Sequence, residues 1–545
     1  MVGLAGGLML AGAPLAQGEA DGPAMRDFMG MNVHVAQTFA QGVAGLPEMF
    51  RPATSLIREY HPLNFDIASP SEPPNFPHDR WNWINWDDLY QGWVDQGYRI
   101  NAAVMLNFDE SQWQDPAAEA RAYGQAFAEH FGPSLGNGLV ESVQIGNEPG
   151  HLSDELFATI FRHMAEGIRQ VDPHLRIVTP NVTVGPSHRY AKSISLFQDV
   201  THLVDVFATH SYPQIEGWPT WERSYPEDPG IAYLSSIQQV IAWRDQHAAD
   251  RQVWVTEFGY DSSTQEPDPD TEFRDWVGVT DIEQARYLVR SFLVFSAMDM
   301  QRAYMFWFND NDSASVHGSS GLMRDYDPKP SFWAMSHLKS TLGDYRFQRI
   351  VRQDAGEVYV YAYEHEEDPR QVIWAVWSPT GVDRQANILI EDLPGQVLGA
   401  ERMLLGDEAD PVEHTLQGRD IVLPVNESPI YLHLQIPEPG AELIPGDMNL
   451  DGVVDTADVS AFVLALVDRQ AYIDAYGVDP TIAGDINADG VLDTGDVAPF
   501  VQLLVARQPG SLPEPGSAIV LTAIGACLLK RSERASPYCV RPPGA

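Results

Sequence analysis

Two glutamates stand in closely matching surroundings and suggest a pair of reacting carboxylates. Glu148 lies in VQIGNEPG (143–150) at the end of an apolar run, and Glu257 ends a second apolar run in QVWVTEFGY (252–260). One carboxylate at a strand end is weak evidence for chemistry, but two in the same context form a pattern. Cleavage of a glycosidic bond needs such a pair, because one carboxyl protonates the leaving oxygen and the other meets the anomeric carbon.

Eight short apolar runs between residues 28 and 340 are predicted strands that would position these acids. They are rich in β-branched or aromatic residues, and amphipathic helical stretches separate them. The sequence therefore predicts an α/β fold, a (β/α)8 TIM barrel over residues 25–343, whose eighth helix is PSFWAMSHLKSTLG. A doubly wound sheet is the alternative, but no glycine-rich phosphate loop follows any run. One helical stretch opens with Asp281 and Gln284, which are spaced as in a capping box.

The predicted barrel would bring both glutamates to one opening. Catalytic side chains of such barrels come from the C-terminal ends of the strands. Glu148 follows the fourth predicted strand and Glu257 ends the seventh, so three βα units of about 36 residues separate them, close to the usual unit length. Both carboxylates are therefore expected to point into the same cleft.

The motifs GNEP after the fourth strand and TEFG at the seventh resemble the clan A glycoside hydrolases, which are retaining barrel enzymes with two glutamates. The resemblance covers residues 28–340. It implies that Glu148 is the acid/base and Glu257 the nucleophile, and that the protein cleaves O-glycosidic bonds without a catalytic cofactor. The motifs are specific for the clan and not for one family within it, so the substrate does not follow from them; we expect a polysaccharide.

The same resemblance implies roles for five further residues. Asn147 would hydrogen bond the 2-hydroxyl of the substrate, and Arg58, at the end of strand two, would orient the nucleophile together with His210 and Tyr212 of THSYP. Trp307, on strand eight, would stack against a sugar ring. Three of them have a plainer alternative: a structural ion pair for Arg58, a buried core histidine for His210, and barrel filling for Trp307.

Four tryptophans lie in and after the long insertion that follows strand two: Trp81, Trp83, Trp86 and Trp113. Exposed indoles beside a cleft would bind sugar rings, whereas a packed lid would bury the same side chains. The sequence leaves these two interpretations open.

The pattern changes after residue 343. Short apolar runs separated by turn residues, with no helical period, predict a small antiparallel β-sandwich over residues 344–436. The proline- and glycine-rich segment that follows is a predicted linker, residues 437–445.

Residues 446–507 contain an internal duplication, since GDMNLDGVVDTADVSAFV recurs as GDINADGVLDTGDVAPFV. Oxygen-bearing side chains fall at the spacing of a calcium loop, with Gly452 and Gly490 at the sharp turn. The pair resembles a dockerin, a helical EF-hand-like module, which implies structural Ca²⁺ and a cohesin-like partner. A solvated acidic turn is the alternative, but it does not explain ten matches in two copies. The predicted ligands, with the two valines contributing backbone carbonyls, are Asp447, Asn449, Asp451, Val453, Asp455, Asp458, Asp485, Asn487, Asp489, Val491, Asp493 and Asp496.

Both ends of the chain carry features of an exported protein. Residues 1–20 are an apolar stretch with a small-residue end at 11–13, as in a signal peptide. Residues 511–545 place Pro-Glu-Pro before an apolar stretch and a basic cluster, which resembles a PEP-CTERM sorting tail and implies cell-surface sorting machinery as a partner. The only cysteines, Cys527 and Cys539, lie in this tail, so the body of the protein has no disulfide framework. We expect a secreted or cell-surface protein.

The charge balance narrows the partners further. Seventy-six acidic residues against 34 basic ones give a formal net charge of −42, which repels a phosphate backbone and argues against nucleic-acid binding. The same charge fits a neutral or cationic substrate. Two other functions stay open: a non-catalytic carbohydrate-binding protein built on a barrel, and a calcium-dependent surface scaffold whose repeats are the main function.

Overall fold

A computed structural model describes residues 22–34, 47–417, 419–437, 444–476 and 479–506. The predicted signal peptide, the sorting tail and most of the linker lie outside the described residues. Contacts divide the chain into two compact units. The first comprises Met1–Ile388, Leu398–Glu413 and Pro424–Leu434, and the second comprises Leu389–Val397, His414–Leu423 and Gln435–Ala545.

The first unit contains a closed barrel of eight parallel strands. Each strand pairs in parallel with its neighbour, and the pairings of β1 with β8 and of β4 with β5 close the sheet. The predicted barrel is thereby confirmed. The strands are β1 (Met29–Val33), β2 (Leu56–Pro62), β3 (Arg99–Met105), β4 (Ser142–Ile145), β5 (Arg176–Thr183), β6 (Val206–His210), β7 (Gln252–Phe258) and β8 (Arg302–Met305). A two-residue strand, Lys192–Ser193, also pairs with β5.

The barrel interior is packed with side chains and changes in polarity along its axis. One fully buried cluster contains aliphatic and aromatic residues of five strands, namely Leu56, Val178, Val206, Ala208, Trp254 and Tyr304. Further along the strands the buried interior becomes polar, with Asn32, Arg58 and Gln144 all fully buried. Because buried polar groups need partners, this polar layer is where a specific arrangement of side chains is to be expected.

Helices connect most of the strands. The main ones are α1 (Trp86–Val94), α2 (Pro116–Phe131), α3 (Asp154–Val171), α4 (Tyr233–His247), α5 (Asp281–Ser296) and α6 (Pro330–Leu342). Short helices cover Met25–Phe28, Pro47–Phe50 and Leu63–Asp66, and 3₁₀ turns cover Glu110–Gln112 and Ile194–Leu203. The capping box of α5 is formed by Thr280 and Glu283, one residue earlier than the Asp281 and Gln284 that the sequence suggested. Gln284 does not take part in the cap because its side chain is buried and donates to Tyr260 O.

Helices α2 and α3 pack against each other through two glycines. A Cβ atom on Gly124 would lie 2.3 Å from Met164 O, and one on Gly167 would lie 2.4 Å from Arg121 O. Only glycine allows the two backbones to come this close. This contact fixes the helices that flank β4, the strand that leads to Glu148.

One carboxylate joins the N-terminal ends of four strands. Glu141, directly before β4, contacts arginines at the first positions of β3, β5 and β8. Its oxygens lie 2.9 Å from Nη1 of Arg176, 2.9 Å from both Nη atoms of Arg302, and 3.9 Å from Nη1 of Arg99. Burial disfavours the charged form, but these three guanidinium groups outweigh it and lower the pKa of Glu141. We call this group the Glu141 clamp.

Two antiparallel sheets follow the barrel, as the sequence predicted. One has the order β9, β10, β11, β16, β13 and the other the order β12, β15, β14. Their strands are β9 (Tyr345–Asp354), β10 (Val358–His365), β11 (Gln371–Trp377), β12 (Ala386–Ile390), β13 (Gln396–Arg402), β14 (Thr415–Gln417), β15 (Asp420–Val425) and β16 (Ile430–Gln435). The sequence did not predict β9, β13 and β14, which carry polar residues on exposed or half-buried positions.

The C-terminal part of the second unit is helical. Its helices are α7 (Asp458–Val467), α8 (Arg469–Tyr476), α9 (Thr481–Gly484) and α10 (Val497–Ala506). The two copies of the duplicated sequence meet in a small core, where the rings of Phe462 and Phe500 stack with their centroids 4.2 Å apart. Among the described residues of the whole chain, none of the helices has the length and apolar character needed to cross a membrane.

Candidate functional site

The predicted site residues come from the C-terminal ends of several barrel strands. Glu148 follows β4 after a turn at Gly146, whose φ of +90° is a backbone conformation that suits glycine. Glu257 is the penultimate residue of β7, and His210 is the last residue of β6. Strand geometry therefore directs the three side chains toward one opening of the barrel, where such enzymes place their active sites.

Glu257 is buried and receives three donors. Tyr60 Oη donates to Glu257 Oε1 at 2.6 Å, Arg58 Nη1 donates to the same oxygen at 3.0 Å, and Tyr212 Oη donates to Oε2 at 3.2 Å. Burial would raise the pKa of Glu257, but the nearby His210 and Arg58 and the hydrogen bond from Tyr60 outweigh it and lower this pKa to about 2. Burial, reinforced by the charge of Glu257, raises the pKa of both tyrosines well above 10, so both remain donors. Glu257 is thus held as an ionised, fixed carboxylate.

Glu148 has a different environment. Its side chain is 28% exposed, against 8% for Glu257, and its Oε1 lies 2.9 Å from Nδ1 of His210. The same imidazole nitrogen is 3.5 Å from Glu257 Oε2. One ligand atom from each of these three residues lies within 4.8 Å of the other two, and no other acidic or histidine triad in the described residues is this close. The two carboxylates therefore face one small space, one anchored and one open to solvent.

Arg58 is the centre of the polar layer inside the barrel. The sequence placed it at the end of strand two, but it is the third residue of the seven-residue β2 and is fully buried. Besides Glu257, its guanidinium donates to Gln144 Oε1 at 2.7 Å, to Asn32 Oδ1 at 2.7 Å and to Asn147 Oδ1. Since the carbonyl oxygen of Asn147 accepts from Arg58, the amide nitrogen is the group of Asn147 that remains as a donor.

The aromatic residues follow the predictions only in part. Trp307 is not on β8 but two residues beyond its end, and its peptide bond with Phe306 is cis. Its half-buried indole meets His34 edge to face at 4.9 Å, and His34 stacks on Tyr60 at 4.1 Å, which places Trp307 beside the site.

The tryptophan cluster after β2 divides into two pairs. Trp86 is fully buried and donates to Asp66 Oδ1, and Trp113 is also buried. Trp81 and Trp83 stack on each other at 5.0 Å with 37% and 63% of their surfaces exposed. The packed and the exposed interpretations thus each apply to half of the cluster.

Five residues of the site were not predicted. Tyr60 lies two positions after Arg58 and therefore on the same face of β2, so strand alternation was a usable signal. Asn181 Oδ1 accepts from the His210 backbone N–H at 2.8 Å and fixes the end of β6. Asn32 and Gln144 carry no local motif, and the barrel register brings them to the site. His317 also lacks a motif, and it reaches the cleft from the loop after β8.

The duplicated loops of the second unit have the same internal hydrogen bonds. In the first loop Asp447 accepts from the N–H groups of Asp451 and Gly452, and both oxygens of Asp458 accept from backbone N–H groups, including that of Asn449. Each of these bonds recurs 38 residues later. The turn glycines have φ of +85° and +91°. Burial, reinforced by the charge of Asp447, raises the pKa of Asp458 to about 6 despite its backbone donors.

Comparisons with known proteins agree with the barrel. No family model matches the chain, and no curated protein matches it in sequence. Among solved structures, a family 39 glycoside hydrolase from Bacteroides cellulosilyticus WH2 aligns with a TM-score of 0.56 at 16% identity, over 76% of this chain and 81% of that chain. A glucosidase from Croceicoccus marinus aligns with a TM-score of 0.55 at 15% identity, over 77% and 98%. At these identities the likeness establishes a shared fold.

Proposed function

We propose that this protein is a retaining glycoside hydrolase that cleaves O-glycosidic bonds of a polysaccharide by double displacement. The proposal depends on one observation: the carboxylates of Glu148 and Glu257 have oxygens within 4.8 Å of each other and stand in contrasting environments. Retaining enzymes hold their two carboxyl groups about 5–5.5 Å apart, whereas inverting enzymes leave room for a water between them. The glycoside hydrolases that share the fold support the same reaction class.

The contrast in environment assigns the two roles. Glu257 is ionised and anchored, so it attacks the anomeric carbon while the bond to the leaving oxygen breaks and Glu148 gives that oxygen its proton. In the second step Glu148 takes a proton from water, and the water oxygen displaces Glu257 from the sugar. Glu148 suits this exchange because it is reached by solvent and paired only with His210.

The surrounding residues position the substrate and the nucleophile. Arg58 and Tyr60 fix one oxygen of Glu257. The other oxygen, which accepts from Tyr212 and lies 3.5 Å from Nδ1 of His210, is the one that would attack the sugar. The amide of Asn147 is the donor for the 2-hydroxyl, a contact that strengthens in the transition state. The indole of Trp307 offers an apolar face for a sugar ring.

The duplicated loops are proposed to bind two calcium ions. The ligand atoms of both loops are all oxygens, and the turn glycines adopt positive φ, as the sharp turn of a calcium loop requires. The residues that would hold the ions are the ten side chains predicted from the sequence and the carbonyls of Val453 and Val491. Bound calcium would neutralise the loop carboxylates and stabilise the small core around Phe462 and Phe500.

The sequence features at both ends support export and attachment at the cell surface, with the calcium module serving a cohesin-like partner. If residues 511–545 are a sorting signal, protein purified from its native host should lack the chain after about Pro515. Intact-mass measurement checks this, and a mass that includes Cys539 contradicts it.

The activity itself is tested with full-length protein on a panel of polysaccharides and chromogenic glycosides. We expect hydrolysis with retention of the anomeric configuration. Proton NMR of the first product formed measures this configuration. Glu257→Gln and Glu148→Gln should each abolish turnover of a polysaccharide, whereas Glu216→Gln, an exposed acid of the loop after β6, should not. Binding of polysaccharide with no hydrolysis of any glycoside would favour the non-catalytic alternative, and inversion would make Glu257 a base for water.

A further inference from the structure

The cleft beside the two glutamates has an unusual concentration of nitrogen donors. It encloses about 450 Å³, and among the described residues its wall carries, besides Glu148, a single other carboxylate, that of the exposed Glu272. Two guanidinium groups, those of Arg189 and Arg223, line the same cleft. This local balance differs from the strongly acidic composition of the chain as a whole.

Arg223 is the most informative of these residues. It lies in the loop after β6, is only 5% exposed, and bonds to Asp261 Oδ2 through Nη2 at 3.1 Å. Its Nε and Nη1 atoms have no hydrogen-bond partner among the described residues. A buried guanidinium with two unpaired nitrogens lowers the stability of the folded state. Hydrogen bonds to a charged group contribute more free energy than those between neutral groups, and a buried nitrogen cannot replace a missing bond with one to water.

The position of Arg223 ties it to the reacting centre. Its guanidinium carbon lies 4.6 Å from the ring centroid of Tyr212, and the hydroxyl of Tyr212 donates to Glu257. His317 meets the other part of the same tyrosine ring at 5.0 Å, and its buried Nδ1 also has no partner in the described part of the chain. Burial lowers the pKa of His317 and the charge of Arg223 adds to this, so His317 is a neutral group beside a charged one.

Asp261 holds both residues in place without using up their donors. Its Oδ2 accepts from Arg223, while its Oδ1 accepts from the backbone N–H of His317 at 2.6 Å and from the hydroxyl of Ser320. Both carboxylate oxygens of Asp261 are therefore occupied, and neither bonds to Nε or Nη1 of Arg223 or to Nδ1 of His317. Arg223 and His317 both line the cleft, and the nitrogens that Asp261 leaves unused are buried in its wall.

We propose that the sugar unit bound beside Glu257 carries a carboxylate, as a uronic acid does, and that Arg223 with His317 recognises it. This inference rests on the proposed glycoside hydrolase function and names its substrate class. A guanidinium is the side chain best suited to a planar carboxylate, and a carboxylate oxygen at Nη1 would give that nitrogen the anionic acceptor that it lacks. Nε lies on the opposite edge of the guanidinium from Nη1, so the proposal concerns Nη1 and needs no contact with Nε.

The net charge of −42 led us to expect a neutral or cationic substrate, and the local site overrides this expectation. At physiological ionic strength, exposed charges more than about 8 Å away are largely screened, whereas a buried guanidinium in contact with the ligand is not.

The test uses uronate-containing polysaccharides, each compared with its carboxyl-reduced, neutral form and with a sulfated neutral polymer. Glucuronoxylan, polygalacturonate and alginate are suitable probes. We expect full-length protein to cleave at least one of them with kcat/KM roughly tenfold or more above that for its reduced form. Arg223→Gln should remove this preference by lowering kcat/KM for the acidic substrate alone. Arg274→Gln, which removes the same charge from a side chain 64% exposed, should leave the preference intact.

Each other result overturns the inference in a distinguishable way. If Arg223→Gln lowers kcat/KM equally for the acidic and the reduced substrate, Arg223 is a positioning residue for Tyr212 and does not recognise a carboxylate. A wild-type preference for the sulfated polymer would identify sulfate in place of carboxylate. Cleavage of neutral sugars without any preference for uronates would refute the inference and leave the proposed function standing, whereas failure to cleave any glycoside would refute both.

Discussion

The hydrogen bond from Tyr60 to Glu257 allows a quantitative prediction about acid pH. Glu257 must be ionised to attack, so the acid limb of the activity profile reports its pKa, which is lowered to about 2. Tyr60→Phe removes a donor that lies 2.6 Å from Oε1 of a buried carboxylate. A hydrogen bond to a charged group contributes roughly 1.5–3 kcal/mol, and one pH unit corresponds to about 1.4 kcal/mol.

Losing a donor to the charged form raises a carboxyl pKa, so the acid limb should move up, from near pH 2 to roughly pH 3–4. The assay is kcat/KM on one chromogenic glycoside across the acid range, with circular dichroism at each pH to verify folding. Tyr212→Phe is the matched comparison. Its hydroxyl lies 3.2 Å from the other oxygen, so the rise should be smaller. An unchanged acid limb in Tyr60→Phe, or a shift to lower pH, would refute the assignment of Glu257 as the ionised nucleophile.

The remaining predictions address the mechanism, the calcium module and the packing of the barrel. Glu257→Ala should regain part of its activity with azide and give the inverted glycosyl azide. Glu148→Ala should still perform the first step on substrates with good leaving groups and give the retained azide. Product NMR distinguishes the two azides, and the reverse pattern would exchange the roles of the two glutamates. Chelation of calcium should remove a separate, low-temperature unfolding transition of the full-length protein while leaving glycosidase activity largely intact. Asp447→Ala should weaken the calcium dependence of that transition. A melting curve that does not change with calcium would contradict the proposed calcium sites. Gly30→Ala should destabilise the barrel by about 1–3 kcal/mol, because the new Cβ would lie 2.3 Å from a buried tyrosine ring. Gly92→Ala should stabilise it by about 1 kcal/mol, because this helix position is exposed and nothing lies within 4 Å of the new Cβ. Denaturant unfolding measures both changes, and similar effects of the two would contradict the packing argument.

The parts of the fold that could be predicted are those with a local signal. Buried parallel strands are continuous apolar runs, and for this reason all eight barrel strands could be located from the sequence. Glu148 and Glu257 stand at the ends of two such runs, so their placement at one opening follows from the barrel alone. By contrast β9, at Tyr345–Asp354, is polar, and its register with β10 shifts twice, which removes the alternation that identifies a strand.

The contacts of the site depend on information that no single segment carries. Arg58 meets Asn32, Gln144 and Asn147 because the register of β1, β2, β3 and β4 brings four separate strands to one level. Arg223 lies in an irregular loop between β6 and α4, where neither periodicity nor a motif marks it. Its unused nitrogens become visible only when every neighbouring group is placed, which is a property of the folded structure.

The Glu141 clamp has a consequence for how this protein can diverge. Its four charged residues join strands at the N-terminal end of the barrel, while every residue of the candidate site belongs to the opposite end. The two ends can therefore diverge under separate selection. Selection for a stable fold limits sequence change at the clamp, and selection for catalytic activity limits it at the candidate site. Laboratory evolution toward a new sugar could leave the clamp untouched, as a reserve of stability against which disruptive changes in the cleft loops are tolerated.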